Sequence, residues 1–516
     1  MEKIRNVLFM LPFLTGILYA GHPVYFGPAN GADITIGTYR VIHSTSLGED
    51  RTLLVHLPRN YNGNDNRYPV VYMLYGNHVT TYFAEAVSVL DNLGPTGRIP
   101  DCLLVGIMNT DRYRDLLPET PEGKATGIGN FTRFITEELF PFIENNYRTK
   151  DFRILIGPQA GANFALYTLF TQPDLFDALI VNHPFRWRGG RDLIMEAAGD
   201  FFRQGSRSKR FVFVTYDDSD PLAKEGIPYL DKLAKMVQGS RSTGVQLELN
   251  FVPDNDEFLQ PLGMRKGMKT LFARYPFPDD RPVQDLDDIL AFYRELSGKY
   301  GFEVDPPEHV LTVQADKAME QGKTSDVLEI IRFTMERYPS AANSYFQMAR
   351  ILFQEGKLEE GREYLQKTVD RVPRDSGGLR RWLAGVDKRI AGSAAYQVEK
   401  AIRLTGLAAG IQKFHELRNP SSSFYFEEGE FNQLGYRLMQ TGKTNEALEI
   451  FKLNVALYPE SANAYDSLGE AYMKKGEKRK AIISYKKSLE LNPNHKNAGE
   501  MLKKLGEEAP DSGITE

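Results

Sequence analysis

The stretch Arg153-Ile-Leu-Ile-Gly157-Pro-Gln159-Ala-Gly161-Ala-Asn-Phe-Ala-Leu-Tyr-Thr-Leu-Phe-Thr171 decides the fold. Ile154–Ile156 is short, apolar and β-rich, as a buried strand is. Ala162–Thr171 has the apolar spacing of an amphipathic helix, and the two are joined by a turn with glycine at each end. Outward from this turn the same alternation continues. Thr52–Leu57, Val70–Leu74, Cys102–Ile107, Ala178–Val181 and Phe211–Thr215 read as further strands, and Phe131–Tyr147 as another helical run. Strands alternating with helices predict an α/β domain with a mostly parallel sheet covered on both faces, over residues 34–280. Pro276, Pro278, Asp279 and Asp280 mark its end.

A chain of 516 residues is too long for one ordinary core and implies two or three domains. Its composition is globular, 42% hydrophobic and 25% charged. The net charge of −5 is mild and there is no basic stripe, so nucleic acid is not an expected partner. Lys3 and Arg5, the apolar run Val7–Tyr19 and the small residues Ala20 and Gly21 read as a secretory signal over residues 1–21, with an uncleaved anchor as the alternative. The run is short for a membrane span. The expectation is a bacterial protein exported to the periplasm or beyond, with no span left after cleavage. Cys102 is the only cysteine and excludes both an intramolecular disulfide and a thiolate metal cluster.

The C-terminal third repeats. Gly322 and Gly356, Pro339 and Pro373, Gly435 and Gly469, Gly442 and Gly476, Ala447 and Ala481, and Pro459 and Pro493 all recur at 34 residues. The best copy reads Tyr465-x-x-Leu468-Gly469-x-x-Tyr472, then Ala481, Tyr485 and Pro493, the tetratricopeptide-repeat (TPR) pattern with Tyr in place of Trp. Paired helices with small residues at their crossings follow. The two pairs are out of phase. The expected order is therefore a linker helix and first TPR pair over 281–373, a helical spacer over 374–430, and a second TPR pair with a capping helix over 431–507. A concave solenoid surface binds a protein or peptide, or else packs on the front domain or mediates dimerisation.

The front domain resembles the putative esterase family, which includes enterochelin-esterase-like α/β-hydrolases. The resemblance rests on Tyr68-Pro-Val-Val-Tyr-Met-Leu-Tyr-Gly-Asn77, which is similar to the family's strand and oxyanion loop, and on Asn109-Thr-Asp-Arg-Tyr-Arg-Asp115. It also rests on Tyr147-Arg-Thr, on Arg153–Gly157 and on Ala165–Phe176. It implies an α/β-hydrolase fold and carboxylic-ester hydrolysis by a Ser-His-Asp triad.

The residues depart from that chemistry at two places. The nucleophile turn G-x-S-x-G is here Gly157-Pro-Gln159-Ala-Gly161, and an amide nitrogen is no nucleophile, so no acyl-enzyme forms at Gln159. The family's histidine loop corresponds to Pro253-Asp-Asn-Asp-Glu257, which puts Glu257, or Asp256 after a slip of one, in the histidine's place. The acid falls on Asp217 or Asp218. Gly76, Asn77, His78 and Ala160 are the expected oxyanion loop, whose backbone N–H donors survive a change of side chain. His183 and Asp256 are candidates to line the old pocket.

No metal or cofactor is expected. Asp217, Asp218 and Asp220, with Asp254, Asp256 and Glu257 on a second loop, read as solvated acidic turns rather than a Ca²⁺ or Mg²⁺ site. The functional expectation is an esterase homologue without esterase catalysis that binds a small molecule, a protein or both. The alternative is a serine-independent hydrolase using Glu257, Asp256 or a metal.

Overall fold

The computed structural model describes residues 35–205, 209–240, 244–253, 259–278, 285–372, 377–419 and 421–506. The expected signal segment, Asp254, Asp256 and Glu257 lie outside the described residues. Eight strands form one sheet: β1 (Thr38–Ser44), β2 (Glu49–His56), β3 (Tyr68–Leu74), β4 (Leu103–Ile107), β5 (Thr149–Pro158), β6 (Ala178–Asn182), β7 (Arg210–Tyr216) and β8 (Val245–Phe251). Their order is β1-β2-β4-β3-β5-β6-β7-β8. β2 is antiparallel to β1 and β4, and every other pairing is parallel.

The central strands β3, β4 and β6 are buried along their whole length, which is why they are unbroken apolar runs rather than alternating ones. Helices supply both covers: α1 (Ala84–Leu93), α2 (Arg112–Leu116), α3 (Ile128–Arg133), α4 (Phe140–Asn146), α5 (Ala160–Thr171), α6 (Arg191–Gln204), α7 (Pro221–Gly239) and α8 (Leu259–Leu271). The run expected over Phe131–Tyr147 is helical as far as Asn146, with a π-helical segment at Phe134–Leu139 between α3 and α4 and Tyr147 already extended. Helix α5 is buried on nearly every face, as a helix at the centre of such a sheet must be.

All-α structure follows: α9 (Leu286–Tyr300), α10 (Glu308–Glu320), α11 (Thr324–Arg337), α12 (Ala342–Gln354), α13 (Leu358–Arg371), α14 (Gly378–Gly392), α15 (Ala394–Thr405), α16 (Leu407–Leu417), α17 (Glu428–Gln440), α18 (Thr444–Leu457), α19 (Ala462–Lys475), α20 (Lys478–Leu491) and α21 (Lys496–Lys504). The chain divides into two units at Gln347–Met348, inside α12, so α9 to α11 belong with the sheet. An aromatic seam explains this: Phe152 of β5 meets Phe302 at 4.8 Å, and Phe272 meets Tyr300 at 5.3 Å. Lys150 pairs with Asp305 at 3.1 Å beside it.

In the second unit, α17/α18 and α19/α20 are successive copies of one packing device. A Cβ on Gly435 would stand 2.5 Å from the Phe451 ring, and one on Gly469 2.7 Å from the Tyr485 ring. Each glycine lets a large ring lie against its helix backbone. Hydrogen bonds repeat with them. Asn454 Nδ2 donates to Glu428 O at 3.2 Å and Ser488 Oγ to Ala462 O at 2.8 Å, both across 26 residues of chain. Among the described residues no helix is long and apolar enough to cross a membrane.

Candidate functional site

Gln159 sits at the junction of β5 and α5 with φ 52° and ψ −113°, a conformation rarely held by a residue with a side chain. The glycines that flank it are there for space. A Cβ on Gly157 would lie 2.4 Å from Gly161 O, and one on Gly161 would lie 2.9 Å from Leu74 Cδ1. The turn is fixed on either side of the strained residue: Gln159 N–H donates to Asn182 O at 2.8 Å, and Ala162 N–H donates to Gln159 O at 2.9 Å. This is the strained strand-to-helix elbow of an α/β-hydrolase, with its side chain half-buried at the carboxyl end of the sheet.

Three more non-glycine residues have positive φ among the described residues, and all lie at the carboxyl ends of strands neighbouring the elbow. Tyr75 (64°) follows β3, and His183 (53°) and Phe185 (64°) follow β6. Their partners hold them: Asn109 Oδ1 accepts from Tyr75 N–H at 2.8 Å, Thr215 O from His183 N–H at 2.9 Å, and Asn163 Oδ1 from Phe185 N–H at 2.7 Å.

The loop expected to supply the oxyanion donors narrows to one residue. Gly76 N–H is taken by Ile107 O at 2.9 Å, and His78 N–H by Tyr75 O at 3.0 Å. Asn77 N–H has no partner among the described residues, while Ala160 N–H, in the first turn of α5, has no backbone acceptor and is directed at the Tyr75 hydroxyl oxygen. The Asn77 and His78 side chains are exposed.

The two aspartates after β7 differ sharply. Asp217 is 2% exposed and Asp218 is exposed. Asp217 Oδ2 lies 3.4 Å from His183 Nε2, while its Oδ1 accepts from Ser219 N–H at 3.1 Å and Ser219 Oγ–H at 3.0 Å. Burial holds the His183 imidazole below its ordinary value, against the pull of the Asp217 carboxylate. The buried carboxylate after β7 therefore already has an imidazole, contributed by the β6 end. Asp220 caps α7 through Leu222 and Ala223 N–H and pairs with Arg186 at 2.7 Å. Among the described residues no group of three or more His, Cys, Asp or Glu is placed to hold a metal. His56 is structural, bonded to Ile36 O at 3.0 Å and to Asp91 at 3.1 Å.

The segment Asn109–Asp115 is mostly a brace. Asp111 caps α2, and Arg114 reaches Glu49 and Asp115. Asp115 forms a fully buried pair with Arg51 at 2.6 Å. Arg112 is different. It is exposed, and its guanidinium lies 5.0 Å from the Trp187 ring centroid and 5.2 Å from that of Tyr113. Sequence reasoning missed Tyr75, Arg112 and Trp187. Tyr75 and Arg112 lie within the stretches Tyr68–Asn77 and Asn109–Asp115 that carry the resemblance, which is the one signal for them, and Trp187 is brought in by packing.

Strand order, antiparallel β2 and the elbow together define an α/β-hydrolase fold, followed by paired helices. Residues 44–187 match the family described as Putative esterase, and residues 312–376 and 462–495 match tetratricopeptide repeats. The chain thus joins an esterase-like domain to TPR helices. The ferri-bacillibactin esterase BesA of Bacillus subtilis is 35% identical over 138 residues, 23% of this chain and 47% of that protein. The uncharacterized protein YjcH of the same organism is 30% identical over 155 residues, 28% of this chain and 59% of its own. The chain spans about half the length of these curated relatives. The crystal structure of an IroE-like serine hydrolase from Shewanella oneidensis aligns with 58% of this chain and 99% of its own at 23% identity, with a TM-score of 0.49.

Proposed function

We propose that this is an exported esterase homologue that binds a ligand at the elbow without forming an acyl-enzyme, while its TPR helices engage a protein or peptide. The observation that carries the reading is Gln159, held in the strained elbow between two space-limited glycines. The scaffold that aims a nucleophile is kept, and the side chain it aims cannot attack a carbonyl. In this reading Asp217 is the acid position, because it is the buried carboxylate of the two. Glu257 stands in the histidine's place on the strength of the sequence alone. The name of the relative BesA makes siderophores and their acyl fragments the first ligands to screen.

The test is a hydrolysis screen of the purified full chain with short-chain aryl esters, beside the Gln159→Ala variant. The expected result is no turnover above buffer in either. Turnover abolished by Glu257→Ala or by a chelator would replace this reading with a serine-independent hydrolase. A thermal-shift screen with siderophores, acyl sugars and peptides should raise Tm for at least one class. No shift across the panel would leave a scaffold without a ligand.

A further inference from the structure

We infer that the esterase-like domain carries an anion subsite beside the elbow, formed by Arg112, the Tyr75 hydroxyl and the amino end of α5, and that it takes an arylcarboxylate rather than an ester. The inference rests on the non-catalytic reading and names the class of ligand.

Tyr75 is the first support. It is 4% exposed, and its Oη is buried without a hydrogen bond of standard geometry. A buried hydroxyl whose proton lacks an acceptor forgoes a hydrogen bond, so a site that leaves one open gains when an acceptor arrives. Burial pushes the Tyr75 phenol up to about 12, while the Arg112 charge and hydrogen bonding to its oxygen from Ala160 N–H and the Arg112 guanidinium pull the other way, which leaves the phenol proton as the group without an acceptor. Tyr75 therefore stands against the elbow amide itself, where a substrate oxyanion would otherwise be held.

Arg112 is the second. Arg186 is paired with Asp220, and Arg188 and Arg191 with Glu225. Arg112 meets no carboxylate among the described residues and lies instead against the Trp187 and Tyr113 rings, which meet edge to face at 5.4 Å. Trp187 Nε1 is also buried without a partner among the described residues. The 12-residue α5 adds its positive end, with no side-chain cap at its first turn.

The site thus collects donors and positive charge and offers no carboxylate of its own among the described residues. A carboxylate brings a full charge and two oxygens to a planar fork, whereas an ester brings a neutral carbonyl. The aromatic walls suit a flat ring attached to that carboxylate.

Trp187 supplies the readout. In the full chain carrying Trp382→Phe it is the remaining tryptophan of the two. Titration with benzoate should give saturable quenching, with methyl benzoate at least about tenfold weaker. Arg112→Gln should weaken benzoate about tenfold or more, Arg112→Lys less, and Tyr75→Phe about threefold to tenfold. Equal affinity for benzoate and its methyl ester would overturn the inference, as would no saturable binding of benzoate or an unchanged affinity in Arg112→Gln. Binding that appears only in Glu257→Gln would make the loop carboxylate Arg112's partner and would overturn it too. Ester turnover in the hydrolysis screen would remove the non-catalytic reading but leave the acid-to-ester ratio measurable under whichever change, Glu257→Ala or chelation, abolishes that turnover. An absent acid preference would leave the non-catalytic reading standing.

Discussion

Arg51 and Asp115 are both fully buried and meet at 2.6 Å, inside a cluster in which Arg51 also pairs with Glu49 and Asp115 with Arg114, each at 2.7 Å, so removing Arg51 takes from the buried carboxylate its one fully buried partner. Arg51→Met should lower stability by about 3–5 kcal/mol, and the double change with Asp115→Leu should recover much of that loss. Urea melts of the two variants check this. The elbow gives a second test at the same scale. Gly157→Ala forces a Cβ to 2.4 Å from the Gly161 carbonyl oxygen, which only a shift of backbone can relieve, and should cost about 1–3 kcal/mol. The elbow was legible in the sequence because two glycines at fixed spacing have a steric cause. The choice between Asp217 and Asp218 was not, because adjacent residues after a strand point opposite ways and the sequence does not say which faces in. Nor was the His183–Asp217 contact, since it joins the ends of two different strands.

Strands β3 to β7 and β2 were readable as compact apolar runs, whereas β1 and β8 were not. These two are the sheet's edges, and their residues are largely exposed, so their sequences, Thr-Tyr-Arg-Val-Ile-His-Ser and Val-Gln-Leu-Glu-Leu-Asn-Phe, carry polar residues throughout. The repeat helices were legible for the opposite reason: their spacing is enforced by contacts that recur. Gly469→Ala drives a Cβ into the Tyr485 ring and should destabilise the second unit by about 1–3 kcal/mol. Ser488→Ala removes one buried bond to Ala462 O and should cost about 1 kcal/mol. Trp382, in α14, reports unfolding of that unit by fluorescence in a Trp187→Phe background. The Gly469 effect should shrink when Tyr485→Leu makes room.

Across the first unit, the sheet and α10 meet over two acids. Burial raises Asp101 to about 6, helped by the charge of Asp91 and opposed by Arg59. Burial raises Glu308, which accepts from Asn60 Nδ2 at 3.3 Å, to about 7, helped by Asp101. Both folded values exceed the unfolded ones, so their contribution to stability is complete below about pH 4 and is lost as pH rises through 6 and 7. Both side chains keep partial access to water, so roughly 1 kcal/mol each is the expected scale. Asp101→Asn and Glu308→Gln should raise Tm at pH 8 relative to the parent and leave it unchanged near pH 4. Equal effects at both values would show that the gain is not electrostatic.

Cys102 is the only thiol in the chain, 3% exposed just ahead of β4, with Sγ donating to Pro100 O at 3.2 Å and burial pushing its pKa well above the ordinary thiol value. An alkylating reagent reaches it only when the sheet opens. The unmutated protein therefore carries its own clock. Mass gained per unit time under native conditions measures how often the esterase-like domain exposes its centre, and that rate should fall when a tight ligand is added.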